Sequence, residues 1–147
     1  MFVKLKKCDY LYIFSELVLM ENGTYAHYHD NSINGEDAWL SRTLGNESVL
    51  DVVLDGSTTT QGRMASERTK EILETGEIRE LEDVLRLLSQ ANSELYHGPS
   101  EAETTVTAAL KKGNQLFVVS AGDSPAYHIR GGIVTPLTTA YALIGAR

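Results

Sequence analysis

The chain is 147 residues long, with 20 acidic side chains against 13 basic ones and a formal net charge of -7. At 42% hydrophobic and 22% charged it has the composition of one globular domain, residues 1–147, which excludes a disordered, collagenous or low-complexity class. The acidic balance argues against nucleic acid or an anionic membrane surface as the partner, because both need a basic stripe to displace counterions, and Lys4, Lys6 and Lys7 are too short a run.

In chain order, aromatic and β-branched residues dominate 10–20, Glu21-Asn22-Gly23 supplies turn chemistry, and 24–28 can return as the second strand of a hairpin. The lysines before this apolar run imitate a leader peptide, but Asp9, Ser15 and Glu16 interrupt it and no small-residue cleavage site follows, so a strand is predicted. No run reaches the ~18 apolar residues of a membrane helix. A polar loop at 30–35 leads to a short strand at 38–40, which places Trp39 in the core; a turn at 45–48 and a buried strand at 49–54 follow, ending at Asp55-Gly56.

The period then changes. Apolar residues at helical spacing predict one helix over 64–73 and a second over 79–95, carried by Leu81, Val84, Leu85, Leu87, Leu88, Ala91 and Leu95, with Thr75-Gly76 between them. Strands return at 104–110, 116–121, 126–129 and 133–137, punctuated by Lys112-Gly113-Asn114, Gly122-Asp123-Ser124-Pro125 and Gly131-Gly132. Strands, then helices, then strands joined by tight turns predict an α+β domain with helices against antiparallel sheet.

The single cysteine, Cys8, cannot form an internal disulfide or a cysteine-rich zinc site, which fits a reducing cytoplasm. His27 and His29 share a strand face but lack a third ligand nearby, so they read as a polar face beside Tyr25; His97 and His128 read as surface residues near element ends. Hard divalent cations need several oxygens from segments distant in sequence, and strand ends supply them. Three places qualify: Glu36-Asp37 entering the Trp39 strand, Asp55-Gly56 leaving the 49–54 strand, and Gly122-Asp123 leaving the 116–121 strand. Each also has a plainer reading. Asp-Gly is a hairpin signal, although here Ser57-Thr58-Thr59-Thr60 and a helix follow rather than a return strand; Gly122-Asp123-Ser124-Pro125 taken alone is a hairpin loop; Glu36-Asp37 taken alone is a solvated edge.

In order and with their flanks, these segments resemble the protein phosphatase 2C family of metal-dependent serine/threonine phosphatases. Gly35-Glu36-Asp37-Ala38 is similar to the family's Glu-Asp-Ala element, and Val52-Val53-Leu54-Asp55-Gly56 with Gly62-Arg63-Met64-Ala65-Ser66 to its Asp-Gly strand and helix start. The 103–110 strand resembles the Gly-Ser-Thr strand, 116–127 the Gly-Asp-Ser-Arg-Ala element, and Arg130-Gly131-Gly132 through Leu137-Thr138 the following turn and strand, so the likeness runs over about residues 10–138. It implies an antiparallel β-sandwich flanked by helices, a phosphoprotein substrate and Mg²⁺ or Mn²⁺, with a metal-activated water rather than a side-chain nucleophile. It further implies that Asp55 bridges two metals, that the Gly56 carbonyl completes the second site, that Glu36 and Asp37 bind there directly or through water, and that Asp123 holds a third, weaker ion.

The departures carry equal weight. Ser57-Thr58-Thr59-Thr60 stands where the family has glycine-glycine-histidine, no arginine lies between Asp30 and Gly35, Pro125 replaces an arginine, and nothing from Ser124 to Arg147 is acidic, so the two downstream metal-binding aspartates are missing. Arg63 is a candidate substitute for the family's phosphate-gripping arginine before Glu36, against a plainer and preferred reading as a solvated helix residue. The expectation is therefore an incomplete domain of this fold, weak or inactive as a phosphatase, with a catalytically silent protein-binding or regulatory module as the alternative. Weak binding of one Mg²⁺ or Mn²⁺ centred on Asp55 follows, with little contribution from Asp123. Open sheet edges and the apolar stretch at 140–144 add an expectation of homo-oligomers.

Overall fold

A computed structural model describes residues 2–3, 16–20, 23–27, 35–45, 47–58, 61–98 and 102–138. The expected strand before Glu16, the loop at 30–34 and the apolar stretch at 140–144 lie outside these. Four strands form the central antiparallel sheet, in the order β4 (Ala38–Gly45), β5 (Ser48–Leu54), β6 (Val106–Lys112) and β7 (Gln115–Ala121). Two further groups are the hairpin of β2 (Glu16–Met20) with β3 (Gly23–His27), and the sheet in which β8 (Ala126–Arg130) lies between β1 (Phe2–Val3) and β9 (Ile133–Pro136). The helices are α1 (Gly62–Thr75) and α2 (Leu81–Tyr96), and no helix among the described residues is long and apolar enough to cross a membrane.

Registry fixes what each face of the central sheet carries. Ala38 pairs with Leu54, Leu40 with Val52, Leu50 with Leu110 and Val52 with Ala108, so these side chains share one face. They form one buried cluster with Ile72 and Leu73 of α1, Ile78 of the connection, and Val84, Leu87 and Ala91 of α2. Val84, Leu87 and Ala91 stand three and four apart on α2, and the buried Ala65, Thr69 and Leu73 stand four apart on α1, so each helix has a single buried stripe. Leu50, Leu54 and Leu73 are fully buried, and truncating one to alanine removes about 2–5 kcal/mol.

Two expectations change here. Trp39 is half-buried and lies on the face away from the helices, because its neighbours Ala38 and Leu40 take the helix-facing positions of a strand with period two. Gly122-Asp123-Ser124-Pro125 is not a hairpin turn: β7 ends the four-stranded sheet, and β8 pairs with β1 and β9 instead. The segment carries the chain from one sheet to another.

Both helices are tied down at their ends. Arg42 on β4 donates from one guanidinium nitrogen to the carbonyls of Leu73 (2.8 Å) and Gly76 (2.6 Å), placing positive charge where α1 leaves carbonyls unpaired. At the start of α2, Asp83 accepts from the backbone N–H of Arg79 (2.9 Å) and of Glu80 (3.3 Å), closing a capping box with Glu80. Arg68 of α1 pairs with Glu94 of α2 at 2.7 Å, an exposed contact of small energetic weight.

Those bonds from Arg79, with a lesser contribution from Arg86, hold the Asp83 carboxyl below the usual aspartate range. A depressed carboxylate stabilises the fold above the unfolded-state value of about 3.9 and ceases to as pH falls through the folded value. Asp83→Asn, which mimics the protonated acid, is therefore expected to melt below the parent at neutral pH and to converge with it in acid. A constant gap in melting temperature down to strongly acidic pH would remove the cap from this account.

Candidate metal centre

The ladder between β5 and β6 places the candidate acids. Val53 faces Thr107, so continuing the register brings Asp55 opposite Thr105, and the Gly56–Thr104 bridge and the Ser57 N–H to Glu103 carbonyl bond (3.0 Å) show that the pairing continues. On one side Ala38 faces Leu54, which sets Asp37 beside Asp55; on the other, Val106 faces Ala121, which sets Gly122 beside Thr105. Asp37, Asp55, Thr105 and Gly122 thus form a row across one end of the sheet.

Spacing decides what this row can hold. Neighbouring strands lie about 4.8 Å apart, so Asp37 and Asp55 are one spacing apart while β6 stands between Asp55 and the Asp123 loop, which is about 10 Å away. Among the described residues no three His, Cys, Asp or Glu side chains gather around a point that could hold a metal ion. Glu36 is turned onto the following loop, where its Oε2 accepts from Thr58 Oγ1 at 3.1 Å. Asp37 and Asp55 are half-buried, Gly56 is buried and Asp123 is exposed.

Close backbone packing holds Glu36 and Gly56 together. A Cβ on Gly56 would stand 2.5 Å from the Glu36 carbonyl oxygen and 2.6 Å from the Gly62 carbonyl, and a Cβ on Gly62 would meet the Ser57 nitrogen at 2.4 Å. The buried Ser66 hydroxyl, one turn into α1, donates to that same Glu36 carbonyl. The first turn of α1, the Asp-Gly strand end and the backbone before β4 therefore meet with no side chain between them.

The oxygens available, two carboxylates at adjoining strand ends and a strand-end carbonyl, are of the kind a hard divalent cation takes. With no third carboxylate gathered there among the described residues, water would have to complete the ligand set of one ion, and a bridged pair does not fit.

The framework recurs in solved structures. A bacterial serine phosphatase matches with a TM-score of 0.64 at 24% identity over 74% of this chain and 50% of its own. The serine/threonine phosphatase Stp1 from Staphylococcus aureus matches with a TM-score of 0.65 at 20% identity over 91% of this chain and 57% of its own. For the Mycobacterium tuberculosis serine/threonine phosphatase PstP/Ppp the values are 0.59 and 22%, over 87% of this chain and 52% of that one. The fold is that of the protein phosphatase 2C family. The chain spans about half the length of these solved structures. No family model and no curated protein matches it.

Within the protein phosphatase 2C fold, the sequence reading picked out the acids but not what holds them. Thr105, Ser124 and Thr58 were read as strand and turn residues, and Gly62 as a helix start. The signal for Gly62 was present: glycine at the first helical position, six residues after another glycine, marks a close approach. A methyl group at Gly56 has only backbone to displace, so Gly56→Ala is expected to cost about 1–3 kcal/mol. Urea unfolding with an unchanged slope and a lowered midpoint is the expected observation; an unshifted midpoint would mean that the two backbones can part freely.

Proposed function

We propose that this chain is a metal-dependent phosphatase-like domain directed at phosphoserine and phosphothreonine, holding one Mg²⁺ or Mn²⁺ weakly and turning over slowly or not at all by itself. The observation that carries this is the β4–β5 register, which sets Asp37 beside Asp55 just past the ends of the paired strands, with Gly56 and Glu36 locked beside them, in a fold shared with serine/threonine phosphatases. In such a site the Asp55 and Asp37 carboxylates and the Gly56 carbonyl supply oxygens, and Glu36 acts through water or through its bond to Thr58. A divalent cation held there supplies a more acidic water and offsets phosphoryl charge.

The chain's own residues account for the expected weakness. Asp123 sits across β6 from Asp55, and Ser57-Thr58-Thr59-Thr60 stand in the sequence where the family resemblance implies a histidine that protonates the leaving oxygen, with only hydroxyls to offer. Phosphate also lacks an arginine before Glu36. The absence of a three-acid cluster among the described residues favours a second reading, a silent phosphatase-like module that binds a protein partner.

Two measurements separate the readings. Calorimetric titration with Mn²⁺ is expected to give one weak site that Asp55→Asn removes and Asp123→Asn leaves nearly unchanged. Hydrolysis of an aryl phosphate is expected to be slow, stimulated by Mn²⁺ and lost in Asp55→Asn. Mn²⁺ binding without any turnover supports the silent module, and tight binding of two ions by the monomer overturns the single-site reading.

A further inference from the structure

We infer that Thr105 is the positioning residue that fixes the Asp55 strand end and the Asp123 loop relative to each other, its hydroxyl bonding to both and its methyl packing against Gly122. The inference deepens the proposed metal-dependent reading and rests on it only for its metal-binding consequence.

The starting point is a break in the β5–β6 ladder. Thr105 donates its N–H to the Asp55 carbonyl at 2.8 Å, as an antiparallel pair should, but the return bond is altered. The Asp55 N–H goes to Thr105 Oγ1 at 3.3 Å, and the Thr105 carbonyl is taken by the Thr104 hydroxyl at 3.0 Å. Asp55 is thus held by the Thr105 side chain as well as by the backbone ladder. The same Thr105 Oγ1 lies 2.7 Å from the hydroxyl of Ser124, a residue only 3% exposed. One oxygen therefore joins the residue before Gly56 to the residue after Asp123.

The methyl group fixes the other side. Gly122 has φ +97°, and a Cβ there would lie 2.8 Å from Thr105 Cγ2 and 2.9 Å from its Cβ. Gly122 can press on Thr105 only as glycine, since a side chain at this φ is strained and also blocked. Thr107, two residues along the same face, donates from Oγ1 to the Ser124 carbonyl. The segment that leaves β7 is drawn over the face of β6 away from the helices, and Asp123 is left exposed at its bend.

Threonine is the residue type this requires. Valine has the shape without the hydroxyl, which removes the Oγ1 contacts to the Asp55 N–H and the Ser124 hydroxyl; serine has the hydroxyl without the methyl, which frees Gly122. In Thr105→Val, amide exchange at Asp55 is expected to rise about tenfold and the Ser124 resonances to move, while Gly122 stays near its parent position. In Thr105→Ser, Asp55 exchange stays at the parent rate while the Gly122 to Ser124 resonances move. Mn²⁺ affinity is expected to fall about five- to tenfold in Thr105→Val and to be restored in Thr105→Ser, with both variants melting cooperatively.

Equal exchange at Asp55 in parent and Thr105→Val overturns the inference. So does faster exchange with Mn²⁺ affinity unchanged, because Thr105 would then stabilise the fold without positioning the site. If the parent binds no Mn²⁺, the metal-dependent reading of function fails on its own, and the opposed responses of Asp55 and Gly122 in the two variants still support or refute Thr105's hold on both segments.

Discussion

At Gly56 and Gly62 the backbone passes itself so closely that neither residue has room for a Cβ, and most of the candidate site's geometry depends on this crossing. It sets where α1 begins, since the loop between them must climb from strand end to helix start in five residues. It also fixes Glu36, whose carbonyl sits against Gly56 and receives the Ser66 hydroxyl from the first turn of α1. Apolar burial under α1 and α2 holds the helices on the sheet, but that force is non-directional. The register at which α1 meets the strand ends comes from contacts with no tolerance for an extra methyl.

The same contrast explains what could be read from the sequence. Elements held by burial were legible: the stripe Val84, Leu87, Ala91 announces α2, and β5 is visible as a run of Val and Leu ending at Asp55. Trp39 was misplaced because aromatic size suggests burial while strand parity, set by Ala38 and Leu40, turns it to the other face. The Gly122 to Pro125 segment was misread for a different reason. Gly-Asp-Ser-Pro has the composition of a hairpin turn, and what makes it a crossing is the reach of Thr105 and Thr107 to Ser124, 19 and 17 residues away. Local composition carries no trace of such partners.

The candidate acids fall between these cases. Glu36, Asp37, Asp55 and Asp123 were each identifiable as a strand-end carboxylate, and the order of motifs pointed to their fold. Their spacing was not legible, because it depends on which strands are neighbours. Only with β6 between β5 and β7 does it follow that Asp55 and Asp37 adjoin while Asp123 stands two strands away. Strand order separates Asp123 from the Asp55 site within this chain.

The pairing of β1 with β8 has a consequence for how such a chain is made. Phe2 lies against Tyr127 and Val3 against Ala126, so the first strand finds its partner only after more than a hundred further residues exist. On a ribosome that adds about 5–20 residues each second, those first residues wait for seconds. The β4–β5 hairpin and the helix pair need no such delay, since their partners follow closely in sequence. Loop closure over that length costs entropy that two residue pairs repay only in part. Folding therefore starts from the β4–β5 hairpin and the helix pair, and the β1–β8 pairing follows them.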